Sequence, residues 1–413
     1  MFRPWESLAA ITLLGMLTGE DGTGRTVLRQ ELREAQSGTS AGAVSADGRR
    51  VAFVSSASLL AEDTNLVADI YVLDRPAERL TLASVGSSGA AANGTSLNPD
   101  LNADGRYVVF DSSATILTAA PDRNEASDVF VRDVTTGTTT RVSVGLGGQE
   151  ANERSSHPAI SADARWVVFE SLATNLVSEP DANGIKSDVY LTELSTGAVK
   201  RISVDEAGRQ FAHAYAPRVS GDGRFVVFAA VAVRPDPRVY LRDVIAGTTL
   251  CVSCESPIGA RLAAFAPDLS GDGNVVTFSV QNGRARSDIA VYDRASGTTT
   301  VITRQGNVRS TTPRISGDGR VIAFESWASN LLCNGRCRHE DLDENLLPDV
   351  YLFERATGRF QRASGGRTTW WAPSLGPAID GTGATIMFSS REPFGPEDLT
   401  TDFDLFVCSP VCL

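Results

Sequence analysis

A short phrase returns seven times along this chain, and a sequence that repeats itself must build a structure that repeats itself. It reads "PRISGDGRVIAFES" from Pro313, with variants such as "PDLNADGRYVVFDS", "PAISADARWVVFES" and "PDLSGDGNVVTFSV". Its aspartates are Asp47, Asp104, Asp163, Asp222, Asp272 and Asp318, and a seventh copy puts Thr382 at that place. The spacings run 57, 59, 59, 50, 46 and 64 residues. Each copy leads to a second phrase, as in "DIYVLD" at Asp69 or "DVYLFE" at Asp349, and most to a third, such as "TGTTTRVSV" at Thr136.

These phrases translate into strands. Asp-Gly between two short apolar runs is a hairpin signal, because both central residues can take a positive φ. The run before it is strand a and the run after it strand b. "DVYLFE" alternates β-branched and aromatic residues and forms strand c. Gly137, Gly197, Gly247, Gly297 and Gly358 then supply the left-handed residue of a second hairpin that delivers strand d. Strand b is apolar on both faces, since Tyr107, Val108, Val109 and Phe110 run without a break, whereas a sheet with one wet face alternates. Four-stranded units buried on both sides suit blades stacked around an axis. The expected fold is all-β: a single β-propeller of seven four-stranded blades over residues 25–413, with six as the alternative count. The seventh copy ends at Leu413 before it can make a strand d. Residues 24–32, "GRTVLRQEL", are expected to pair with the last strand c and close the ring.

The pattern P-x-[IVL]-S-x-D-G-R-x-V-x-F-x-S, followed by D-[VI]-[YF]-[VL]-x-D-x-x-T-G-x-T-x-R-[VI]-S, resembles the TolB-like, WD40-like (PD40) β-propeller repeat family. The resemblance covers nearly everything from about residue 25 onward. It implies a bacterial, mostly extracytoplasmic propeller used as a binding scaffold. TolB itself resembles the chain only in the repeat, so no role in the Tol system is carried over. The hydrolase domain that follows similar repeats in prolyl-oligopeptidase-like peptidases is absent.

If strands alternate in direction, the a–b and c–d turns share one face of the disc, and the b–c and d–a loops share the other. The first set are tight; the second are long and unlike one another, and binding residues favour variable loops on a rigid scaffold. On that face stand Phe211, His213, Tyr215, Phe265, Trp370 and Trp371, of which His213, Tyr215, Trp370 and Trp371 are the candidate partner-binding residues. His157, close to the channel mouth, suits a structural role. Several b–c loops are acidic in the same way: Asp63, Asn65 and Asp69; Asp122, Asn124 and Asp128; Asp181, Asn183 and Asp188. The richest holds Asp341, Asp343, Asn345 and Asp349, and hard oxygens at alternate positions make calcium the candidate ion. The competing reading is that Asp and Asn are there to make turns and start strands.

Six cysteines fall in three close pairs, Cys251/Cys254, Cys333/Cys337 and Cys408/Cys412, which suits local disulfides and an oxidising compartment. The pair Cys251/Cys254 needs a bend, since on a straight strand those side chains point to opposite faces. Residues 1–24 read as a tail or a degraded export signal, with an apolar run over Ser7–Thr18 too short to span a bilayer. The net charge of −12 argues against nucleic acid or an anionic membrane as the main partner. "GTSAG" at Gly38 matches a nucleophile-elbow pattern but has no helix behind it, and three histidines offer no catalytic team. The expectation is a monomeric, non-catalytic, extracytoplasmic scaffold that binds a protein or glycan through the long-loop face. The alternative is a carbohydrate-active enzyme, a glycosidase or lyase, with carboxylates at the channel mouth.

Overall fold

The computed structural model describes residues 16–20, 26–30, 40–120, 122–232, 236–254, 262–283, 286–333, 343, 345–364, 372–391 and 403–409. Seven antiparallel sheets form seven blades, and the described residues contain one short 3₁₀ turn, Leu146–Gly148, and no α-helix. Blade 1 is typical: strands a to d are Ser40–Val44, Arg50–Ser55, Asp69–Asp74 and Arg79–Leu82. Blades 2 to 6 repeat this order, each as a four-stranded sheet.

Closure follows the expected route. In blade 7, Ser374–Ile379, Ile386–Ser390 and Asp404–Ser409 supply strands a, b and c, and Thr26–Gln30 supplies strand d. Leu28 pairs with Ser409 and Arg29 with Cys408. A further strand, Met16–Glu20, pairs with Thr26–Gln30 and makes this sheet five-stranded, a feature the repeat pattern does not contain.

Strands b and c are buried on both faces because blades stack on both sides of them. Val51, Ala52, Phe53, Val108, Val109 and Phe110 are fully buried. In every blade but the fifth, where Phe278 faces Ala290, the strand-b phenylalanine stacks on the strand-c aromatic ring, as Phe53 does on Tyr71 at 5.8 Å and Phe388 on Phe406 at 5.3 Å. Between blades lie seven apolar clusters, one for each interface. The cluster joining blade 7 to blade 1 sets Met387, Leu405 and Val407 against Val51, Phe53 and Tyr71.

The repeated phrase is explained residue by residue. In the a–b turn only the glycine is left-handed, with φ of 69° at Gly48, 66° at Gly105 and 76° at Gly223, while the aspartate is not. This corrects the hairpin geometry expected from the sequence. The aspartate instead ties down the loop: Ser45 Oγ donates to Asp47 Oδ1 at 2.7 Å and the Arg49 N–H donates to the same atom at 3.0 Å. Blade 7 lacks that aspartate, and Asp380 takes its place, accepting from the Thr382 and Ala384 N–H groups. The c–d turns carry their left-handed glycines as expected, with φ of 72° at Gly137 and 68° at Gly358.

The residue between the serine and the aspartate of the phrase is always Ala or Gly, and here blade meets blade. The Ala46 N–H donates to the Ala103 carbonyl, Ala103 to Ala162, Asp163 to Gly221, and Gly221 to Gly271. Gly271 donates to Gly317, Asp318 to Gly381, and Gly381 back to Ala46, at distances from 2.7 to 3.4 Å. The circle is complete. A Cβ on Gly381 would lie 2.9 Å from both the carbonyl oxygen and the Cβ of Ala46, closer than packed atoms approach.

Two substitutions should therefore act in opposite directions. Gly381→Val is expected to destabilise the ring by about 3 kcal/mol, through the clash and the broken circle. Ala164, which sits at φ 56° where the other copies have glycine, should give about 1 kcal/mol of stabilisation when changed to Gly. Urea unfolding followed by tryptophan fluorescence reads both.

Candidate functional site

Every strand a carries an irregularity in its pairing with strand b, as between Ser156 and Ala159 in blade 3. The residue before the proline of the phrase is left-handed there: Asn98, His157, Ala216, Ala266 and Thr312 have φ between 49° and 54°. A non-glycine residue rarely adopts this conformation, and a β-branched one such as Thr312 does so at a cost. The kink re-aims the strand beside the axis, where residues from all seven blades enclose a cavity of about 310 Å³.

The residue after each proline faces this cavity. Around the ring these are Asp100, Ala159, Arg218, Asp268, Arg314 and Ala378, with Ala43 at the equivalent place in blade 1. The Ile160 N–H donates to Asp100 Oδ2 and the Ile315 N–H to Asp268 Oδ2, both at 2.9 Å, so each aspartate is pinned by the next blade. Burial pushes the Asp100 carboxyl up, although Arg218 opposes the shift. Burial, then the neighbouring Arg218, lowers Arg314 to about 10.

Nearer the long-loop face a second tier surrounds His157. Asp111 and Glu170 occupy the same place in strand b of successive blades, between the phenylalanine and the serine of the phrase. Asp111 accepts the His157 N–H at 3.1 Å and Glu170 accepts the Ala216 N–H at 2.8 Å, while Glu325 accepts that of Gly376 at 2.7 Å. These carboxylates thus hold the kinked residue of the following blade. His157 Nδ1 lies 3.0 Å from Glu170 Oε1. That contact raises the imidazole pKa against the effect of burial. Burial pushes Glu170 up, but His157 and the Ala216 amide together hold it below the usual carboxylate range. Burial dominates at Asp111 and Glu325 and raises both.

His213 and Tyr215, at the start of strand a of blade 4, come together at this mouth with ring centroids 4.9 Å apart, both half-buried. Phe211 does not join them. It is buried and packs on Tyr240 at 4.5 Å, as a core residue. Trp370 and Trp371 lie outside the described residues.

The acidic b–c loops have mostly structural employment. Asp69, Asp128, Asp188, Asp288 and Asp349 open strand c and accept from the hydroxyl that ends strand d, as Ser143 Oγ donates to Asp128 at 2.6 Å and Ser364 Oγ to Asp349 at 2.7 Å. The loop asparagines turn the chain, with the Val67 N–H donating to Asn65 and the Leu347 N–H to Asn345. Burial pushes Asp69 up to about 6, Asp128 to about 7 and Asp188 to about 6. In the loop assigned to calcium, Asp343 and Asp349 share the Arg362 guanidinium, at 3.7 and 3.5 Å, and Asp341 lies outside the described residues. A carboxylate cluster stands in blade 2 instead, where oxygens of Asp122, Asp128 and Glu150 all lie within 4.8 Å of one another. Arg141 reaches two of them, Asp128 at 3.3 Å and Glu150 at 2.6 Å.

Cys251 and Cys254 form a disulfide with Cα atoms 5.5 Å apart, made possible by the turn that follows strand d of blade 4. Cys333 is disulfide-bonded, and Cys408 is buried in the last strand. Cys337 and Cys412 lie outside the described residues.

No family model matches the chain, and no curated protein matches its sequence. Solved structures do. Oligogalacturonate lyase in complex with manganese is 12% identical, with 93% of this chain and 96% of that one covered and a TM-score of 0.58. The β-propeller domain of the Trilobed protease from Pyrococcus furiosus is 12% identical over 90% of this chain and 95% of that one, with a TM-score of 0.57. TolB from Acinetobacter baumannii is 17% identical over 80% of this chain and 66% of that one, with a TM-score of 0.47. What the lyase and the protease domain share with this chain is the fold.

Sequence reasoning passed over Asp111, Glu170 and the Asp/Arg ring. Their signal was available as the repeat positions whose charge changes from blade to blade. A pH experiment checks the His157–Glu170 contact. The imidazole pKa is raised, so its stabilisation is complete below pH 6.5 and fades as pH rises through the folded value. The carboxyl pKa is lowered, so its share is present above pH 4.5 and fades on acidification through the folded value. The Tm difference between wild type and His157→Gln should be largest near pH 5.5 and shrink by pH 8.5, with at most about 1 kcal/mol involved for a half-exposed pair.

Proposed function

We propose that this protein is a binding scaffold that engages a protein or glycan through the face bearing the b–c and d–a loops. The observation that carries the reading is a set of exposed aliphatic side chains on the b–c loops. Leu66, Ile185 and Leu346 are 84%, 87% and 67% exposed, on blades 1, 3 and 6. Leu66 and Leu346 hold left-handed φ angles of 60° and 58°, a local cost with no packing to offset it. Single exposed leucines are ordinary, but related loops that each lift one toward the same side suit a broad partner. His213, Tyr215, Trp370 and Trp371 are assigned to the same surface. The disulfide suits an extracytoplasmic setting, and among the described residues no helix is long and apolar enough to cross a membrane.

A carbohydrate-active enzyme is the second reading, favoured by Asp111 and Glu170 on either side of His157. The scaffold is preferred because each of these acids already accepts a backbone N–H from the next blade. Calcium is a subsidiary proposal for the loops, at Asp341, Asp343, Asn345 and Asp349 or at the blade 2 cluster. Calorimetric titration with calcium that gives no heat would dispose of it.

The triple variant Leu66→Ser, Ile185→Ser, Leu346→Ser should capture at least tenfold less partner from culture-medium protein and glycan fractions, at an unchanged Tm. Equal capture would retire the loop-face reading. Turnover of a polysaccharide by wild type that is abolished in Glu170→Gln would establish the enzyme instead.

A further inference from the structure

The central cavity has two unlike sides. Blades 2, 4, 5 and 6 contribute Asp100, Arg218, Asp268 and Arg314, each one residue after the strand-a proline, and blade 3 interrupts this charged side with Ala159. Blades 7 and 1 contribute Ala378, Ala43 and Val54. Val54 stands in strand b at the place held by Asp111, Glu170 and Glu325 in blades 2, 3 and 6 and by Ala229, Ser279 and Ser389 in blades 4, 5 and 7.

The four charges are not used equally. Asp100 and Asp268 each give one oxygen to the backbone of the next blade, which anchors their charge to the wall. Arg218 donates from one terminal nitrogen to the Pro217 carbonyl at 3.0 Å, which leaves the rest of its fork. Among the described residues the Arg314 side chain makes no hydrogen bond, and no ion pair within 4.0 Å joins any two of the four. Two guanidinium groups therefore face the cavity; Arg218 disfavours the charge on Arg314, while Asp268, Asp100 and Glu325 favour it. Neither cavity aspartate hydrogen-bonds these guanidinium groups, and a planar carboxylate matches the guanidinium fork in geometry as well as charge.

We propose that the channel binds the carboxylate of a ligand whose adjoining body is apolar, with the carboxylate on Arg218 and Arg314 and the apolar group against Ala378, Ala43 and Val54. A cavity of about 310 Å³ takes a single small group of this kind, either a free organic acid or the terminal residue of a peptide. The proposal rests on the cavity alone. It stands or falls apart from any partner of the loop face.

The test uses the whole chain and matched probes. N-acetyl-L-leucine, its amide, and a short peptide ending in leucine with a free or an amidated C-terminus are titrated by calorimetry. Wild type should bind the free acid, the free-ended peptide or both, and the matching amide at least tenfold more weakly. Acid binding without peptide binding assigns a free small molecule; peptide binding alone assigns a chain terminus. Arg314→Gln, which keeps the length of a polar side chain without its charge, should lose at least tenfold in affinity. Ala43→Leu, which fills the apolar side, should exclude the leucine probes while leaving binding of acetate unchanged. The wild-type comparison of acid with amide needs no variant to fold. Equal binding of acid and amide, binding of neither probe, or undiminished affinity in a folded Arg314→Gln protein would overturn the proposal.

Discussion

Seven backbone hydrogen bonds run in a circle around the axis, and every other feature of the ring is placed by them. They form only because the chain brings an Ala or a Gly to the same point of each a–b turn, where a larger side chain would meet the neighbouring backbone. They are not the main source of stability. Each contributes about 1 kcal/mol net, whereas one buried phenylalanine or leucine contributes about 2 kcal/mol, and each blade interface holds several. The division of labour is plain. The apolar clusters hold the blades together, and the circle fixes where the seven inner strands stand relative to one another. A channel lined at defined positions by charged and apolar groups requires that precision.

The same logic accounts for the second tier. A kinked strand with a left-handed residue exposes a backbone N–H that has lost its place in the ladder. Asp111, Glu170 and Glu325 accept three of these groups across blade boundaries. Buried carboxylates near a cavity invite a catalytic reading, and pKa shifts strengthen it. Here the shifts have a simpler origin. Burial raises Asp111 and Glu325, and a neighbouring imidazole lowers Glu170; all three meet a structural need on the adjacent blade.

Much of this was legible in the residues. The blade count, the order of strands and the closure by Thr26–Gln30 followed from a repeat whose last copy lacked its fourth strand. The Asp at the strand-c start of five blades proved to be a partner for the hydroxyl that follows strand d, in line with the turn-and-strand reading of those loops. The lining of the central cavity is not legible in a consensus, which shows only what the repeat keeps. Positions such as Asp100, Arg218 and Val54 differ from copy to copy and so drop out of a consensus. Side-chain direction also misled. Phe211 lies in a d–a loop two residues before His213, yet it is buried against Phe228 and Tyr240.

The way the ring closes has a consequence for how it can be made. Leu28 and Ser409, which pair in the closing sheet, are separated by about 380 residues, and joining the ends of such a segment costs about 5 kcal/mol in chain entropy. That entropy is recovered only if the six intervening blades have already shortened the path between them. An emerging polypeptide releases the Thr26–Gln30 segment early, and the edge turned away from Met16–Glu20 must stay unpaired until almost everything else has been synthesised. An early strand is the one that waits.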